Sequence, residues 1–116
     1  NPNQIKHTTE IMRTFDHVGI PTSTPKAGEV YNEGMKVWLT DFAKSGNRIE
    51  WLRFEPDSWM PELIRTTTHM AYQVTDPEAE MAGKTVLLPP TDCGGGNWIA
   101  FVEEEGIAVE LMWKVK

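Results

Sequence analysis

Cysteine is nearly absent from this sequence, since Cys93 is the single thiol among 116 residues. One cysteine excludes an internal disulfide and any zinc cluster built on thiolates, and it fits a reducing, cytoplasmic setting. Positive charge is scarce too, with 11 Lys and Arg against 17 Asp and Glu and a net charge of -6. That balance repels phosphate backbones and anionic lipid, and no basic stripe offsets it, so neither nucleic acid nor membrane is an expected partner. No apolar run approaches the roughly 18 residues of a membrane-spanning helix, and the chain reads as soluble. Phosphate-cradling glycine loops, GxGxxG, HExxH and GxSxG are all missing, which leaves nucleotide-binding and serine-hydrolase chemistry without support. The chain opens on Asn1 and not on Met, which reads as a trimmed end or a removed leader.

What is present is an ordinary globular composition, 40% hydrophobic and 24% charged, which predicts one domain at this length. Residues 1–13 read as a polar extension able to add an edge strand, with His7 a solvated tail residue. Seven segments then alternate with period two, as half-buried strands do: "TFDHVGI", "KVWLTDF", "RIEWLRF", "THMAYQV", "TVLLPP", "NWIAFVE" and "IAVELMWKV". "KSGN" and "EEEG" between them read as hairpin turns, and "DCGGGN" as a glycine-rich loop that carries Cys93 as an unreactive thiol. Helix signals are short. "DPEAEMAG" offers Asp76 as N-cap, Pro77 at the first helical position and Gly83 as terminator, which predicts about two turns. A second turn is expected within "SWMPELIR".

The two halves echo each other. His69 in "THMAYQVT" follows His17 in "FDHVGIPT" by 52 residues, and Ala82 and Gly83 follow Ala27 and Gly28 by 55. Trp98 follows Trp38, and Glu110 follows Glu50, by 60. Each half therefore reads histidine strand, small-residue turn, tryptophan strand, glutamate strand. Side chains alternate across a strand, so His17 is expected to share a face with Phe15 and Gly19, opposite Val18 and Ile20. By the same rule His69 opposes Met70, Tyr72 and Val74, Glu50 opposes Ile49 and Trp51, and Glu110 opposes Val109, Leu111 and Trp113. The apolar face predicts the core, packed against the helices. The other face predicts a concave surface carrying His17, Glu50, His69 and Glu110. Carboxylates in an apolar cup are costly unless paired, protonated or metal-bound, and two imidazoles with two carboxylates suit nickel, zinc, cobalt, manganese or ferrous iron.

The histidine strand followed by a glutamate strand, twice in one short chain, resembles the vicinal oxygen chelate superfamily, which includes glyoxalase I, methylmalonyl-CoA epimerase, extradiol dioxygenases and the bleomycin resistance proteins. The resemblance runs from "FDHVGI" through "RIEWLRF" and "THMAYQV" to "IAVELMW". It implies an α+β fold of two βαβββ modules whose mixed sheet curls into a cup, with module one at about 14–56, a linker at 57–66 and module two at about 67–116. It implies one divalent metal held by His17, Glu50, His69 and Glu110, a quartet similar to that of bacterial glyoxalase I. The activity implied is a lyase or isomerase that forms a metal-stabilised enediolate on a small oxygenated substrate such as a 2-oxoaldehyde–thiol adduct. Glu110 or Glu50 would move the proton, with Glu110 the first choice. A methylmalonyl-CoA epimerase-like enzyme and a non-enzymatic small-molecule- or antibiotic-binding protein of the same fold are the alternatives. A fourth ligand at Glu50 argues against the extradiol dioxygenases.

Two departures from the family stand out. "PTSTPKAGEVYNEG" contains Pro and Gly and has little room for the helix that normally links the first two strands of a module, so the first crossover is expected to be truncated. No basic set that would bind glutathione maps onto the sequence. A short chain with one truncated module implies, by the same analogy, a homodimer that completes the cups.

Overall fold

A computed structural model of the protein describes residues 11–115. Residues 1–10, including His7 and most of the expected edge-strand extension, lie outside the described residues. Eight strands form one mixed sheet: β1 (Arg13–Pro21), β2 (Val30–Asn32), β3 (Val37–Leu39), β4 (Ile49–Phe54), β5 (His69–Val74), β6 (Val86–Asp92), β7 (Asn97–Glu104) and β8 (Ile107–Lys114). Among the described residues two short helices, α1 (Glu62–Thr66) and α2 (Pro77–Met81), and a 3-10 turn at Phe42–Lys44 complete the elements. Among the described residues no helix is long and apolar enough to cross a membrane.

The strand order is β2-β3-β4-β1-β5-β8-β7-β6, so each half contributes four adjacent strands and the halves join edge to edge through antiparallel β1 and β5. Within each half the first and last strands run parallel, β1 beside β4 and β5 beside β8. This is the expected α+β arrangement of two related modules in a curled half-barrel. The echo in the sequence is thus a duplication in space.

Local chemistry sets the element ends. Asp76 caps α2 by accepting from the Ala79 amide, and Pro77 sits in its first turn, where a missing N–H costs nothing. The β7–β8 hairpin turns on Glu105 and Gly106, both in the left-handed region (φ 52° and 84°), as a two-residue turn between twisted strands requires. "KSGN" does not make a tight hairpin, because the 3-10 turn intervenes between β3 and β4. Between β1 and β2 the chain makes only bends and turns, so the first module has no crossover helix.

Two expectations need correction. A β-bulge lies between Phe15 and His17, where Asp16 has no partner across β5. The extra residue reverses the alternation, so Phe15 pairs with Tyr72 and meets its ring edge-on at 6.4 Å, while His17 pairs with Ala71 on the opposite face. Phe15 and His17 therefore do not share a face. The core is also split across both faces. Val74, Val102, Val109 and Leu111 pack with Met81 of α2 on the convex side, as expected. A second cluster, Met60, Ile64, Leu88, Phe101 and Ala108, lies on the concave side, because the linker folds inward and roofs the cup with Met60 and Ile64.

Candidate metal centre

Register alone brings the four predicted ligands together. In one row across the sheet Glu50 aligns with Gly19, and Gly19 aligns with His69. In the next row His17 aligns with Ala71, and Ala71 with Glu110. Each row therefore holds one imidazole and one carboxylate, two strands apart, with a small residue between them. Backbones two strands apart are separated by about 10 Å, which a histidine and a glutamate can close only by leaning over whatever lies between. Gly19 and Ala71 leave that space open. A Cβ on Gly19 would fall 2.0 Å from His69 Cε1, so the ring occupies the place that any other residue would fill.

The result is a compact donor set. One donor atom from each of His17, Glu50, His69 and Glu110 lies within 4.8 Å of the others, all from a single chain. His69 Nε2 is 3.1 Å and His17 Nε2 3.3 Å from Glu110 Oε1, while Glu50 Oε1 is 3.6 Å from His17 Nε2 and 3.9 Å from His69 Nε2. Those are separations expected of donors sharing one cation at bond lengths of about 2.0–2.2 Å. His17 and His69 are buried, yet neither Nε2 has a hydrogen-bond partner among the described residues. Buried polar atoms normally have partners, so two orphaned nitrogens facing two carboxylates fit a divalent metal. A second chain is not needed to complete the quartet.

Aromatic rings and one further carboxylate hold the imidazoles. Phe42 stacks on His17 at 4.2 Å and 10°, and Phe101 meets His69 edge-on at 5.2 Å and 82°. His17 Nδ1 lies 2.7 Å from Asp16 Oδ2. The carboxylate accepts there, so in neutral His17 the proton sits on Nδ1 and Nε2 is the free donor nitrogen. Gln73 donates to the other Asp16 oxygen at 3.3 Å, and Arg48 lies 3.7 Å from it. Asp16, Gly19, Ala71 and Phe42 were not singled out from the sequence. The signal was available in part, since "HVG" and "HMA" both place a small residue two positions after the histidine.

Electrostatics in the metal-free cluster follow from burial and these contacts. Burial resists charge on His17, but Glu110, Glu50 and Asp16 outweigh it and lift its pKa to about 10. Burial likewise pushes the Glu110 carboxyl up, yet His17 and His69 hold it down at about 2. A divalent cation held by these residues would need neutral imidazole on His17.

A cavity of about 170 Å³ opens beside Glu50, His69 and Glu110, and Cys93 lies on its lining. Burial, with the charges of Glu110 and Asp92, pushes the Cys93 thiol up, so it stays protonated. The thiol is thus placed at the site without joining the donor set.

No protein-family model matches the sequence, and no curated protein sequence matches it. Several solved structures are similar in fold. A hypothetical protein from Bacillus halodurans superposes with a TM-score of 0.63 at 18% identity, covering 90% of this chain and 96% of that one. Methylmalonyl-CoA epimerase from Mycobacterium tuberculosis superposes with a TM-score of 0.58 at 15% identity, covering 100% of this chain and 97% of that one. At these identities the likeness is one of fold.

Proposed function

We propose, from a fold that supports kinship with the vicinal oxygen chelate superfamily but not with glyoxalase I in particular, that this protein is a metal-dependent lyase or isomerase. The substrate class is a small molecule with two adjacent oxygens, such as a 2-oxoaldehyde–thiol adduct. The observation that carries this reading is the convergence of His17, Glu50, His69 and Glu110 within 4.8 Å around orphaned imidazole nitrogens. A divalent cation bound there supplies Lewis-acid stabilisation of negative charge developing beside a carbonyl. The chain's own residues do the rest. His17 and His69 present Nε2, Asp16 fixes the His17 ring, and the apolar roof of Met60 and Ile64 limits water.

Proton transfer falls to one of the two glutamates. The family resemblance favours Glu110, but the geometry favours Glu50. Glu110 is the more deeply buried and sits nearer to both imidazoles. Glu50 is farther from both and lines the cavity from a less buried position, free to take a proton next to the carbonyl and return it. Likeness to an epimerase structure favours proton exchange at such a carbon as the reaction type. The apolar cavity favours, as a second reading, a binding protein of the same fold with no turnover. The homodimer implied by the family analogy would pair two subunits that each hold a complete quartet, and would not complete one another's site.

Deuterium uptake from D2O separates these readings. Metal-loaded protein incubated with hemithioacetals of 2-oxoaldehydes, and separately with acyl thioesters, should label the carbon next to the carbonyl. Glu50→Gln should slow labelling at least 100-fold, a size typical of lost general-base catalysis. Tight substrate binding without any labelling favours the binding protein.

A further inference from the structure

The cavity beside the quartet has a chemical character of its own, and it narrows the substrate class within the reading proposed above. Its walls are Val37, Leu52, Phe54, Met60, Ile64 and Phe101, with other apolar side chains beside them. Apart from Glu50, His69 and Glu110, its polar lining is limited to Asn32 and Cys93, and no Lys or Arg lines it among the described residues. A carboxylate or phosphate placed here would lose its water with no cation to replace it.

Size gives the second constraint. The cavity measures about 170 Å³. An apolar cavity of roughly 150 Å³ holds one benzene molecule, so the space suits a phenyl ring or a short branched alkyl group. The charged tail of a glutathione or coenzyme A conjugate satisfies neither constraint.

We infer that the cavity receives the uncharged apolar substituent, of about phenyl size, of a small substrate whose two adjacent oxygens face the quartet, and that charged thiol conjugates are not accommodated in it. This rests on the two-oxygen reading above. Hydroxamates test both together, because each presents two adjacent oxygens and differs only in what it carries behind them. Calorimetric titration of nickel-loaded protein with acetohydroxamate, benzohydroxamate and 4-carboxybenzohydroxamate is the measurement. Benzohydroxamate should bind at least tenfold more tightly than acetohydroxamate, and the added carboxylate should remove that gain. Ile99→Phe, which fills the cavity, should bring benzohydroxamate down toward acetohydroxamate. Leu39→Phe serves the same purpose if the first variant does not fold, with bound nickel reporting folding. Equal binding of the first two probes, or undiminished binding of the carboxylate, overturns the cavity assignment alone. Failure of acetohydroxamate to bind overturns the two-oxygen reading beneath it.

Discussion

The two modules carry the same inner face and different outer faces. Inside, each supplies one histidine, one glutamate and one small floor residue in matching register. Outside, module two packs Leu111, Val109 and Val102 against α2, whereas module one has no helix to cover Ile20, Ile49 and Trp51, which stay half-buried. Charged side chains take the helix's place. Lys26 Nζ lies 4.1 Å above the Trp51 ring, and Arg53 sits 5.1 Å from the Trp38 ring while pairing with Glu29. Cation–π contacts and the stems of long side chains shield apolar surface while their charged ends stay in water. A converging set of donors constrains the inner face atom by atom, but an outer face need only be covered. That difference explains how one crossover helix is dispensable while the ligand rows keep their register.

The comparison breaks most visibly in the outer cores. Leu111 is fully buried, so Leu111→Ala should cost about 2–5 kcal/mol, read as a shift in the denaturation midpoint. Ile49→Ala on the half-buried face of module one should cost only about 1 kcal/mol, given roughly 0.8 kcal/mol per fully buried methylene. Equal costs would mean that the outer face of module one is covered after all. On the inner face the floor residues should behave alike in role and differently in degree. Gly19→Ala drives a Cβ into the His69 ring and should cost about 1–3 kcal/mol in stability as well as weakening metal binding, whereas Ala71→Gly should leave binding near the parent value.

The two histidines differ in support, and Asp16→Asn sharpens that contrast. His17 has a carboxylate on Nδ1, while His69 Nδ1 has no hydrogen-bond partner among the described residues. Loss of such a carboxylate typically weakens metal binding 10- to 100-fold, so Asp16→Asn should do so in a metal titration, with Asp16→Glu recovering part of it. The smallest effect concerns the charges that tie the modules together. Arg13 in β1 pairs with Glu80 in α2 and with Glu104 in β7, and the Arg13 hydrogen bond, against burial and helped by Lys84, holds Glu104 down at about 2. A depressed carboxylate stabilises the fold above its unfolded pKa near 4.5 and loses that contribution as pH falls toward 2. Glu104→Gln should therefore lower the melting temperature modestly at pH 6, with the gap to the parent closing as the pH is taken down to 2.

Most of the fold was legible because its signals are local. Alternation marked seven of the eight strands, Asp76 and Pro77 marked α2, and the spacing of His17, Glu50, His69 and Glu110 marked the quartet. β2 escaped because Val30–Asn32 lies in a stretch broken by Pro25, Gly28 and Gly34, whereas the equally short β3 lies within the alternating run "KVWLTDF". The Asp16 bulge escaped because an extra residue in a strand is defined by its partner, here β5, and not by its own neighbours. The concave core escaped for a related reason, since Met60 and Ile64 belong to a linker whose fold-back is a long-range event. Floor residues such as Gly19 gain meaning only once the strands on either side are known.

Metal titration tests the central claim most directly. Apo protein at neutral pH, titrated in turn with nickel, cobalt, manganese, ferrous iron and zinc, should bind at least one of them at one equivalent per chain, and His17→Ala/His69→Ala should bind none at that site. No stoichiometric binding of any of the five, or unchanged binding in the double variant, would contradict the assignment of the quartet as a metal centre.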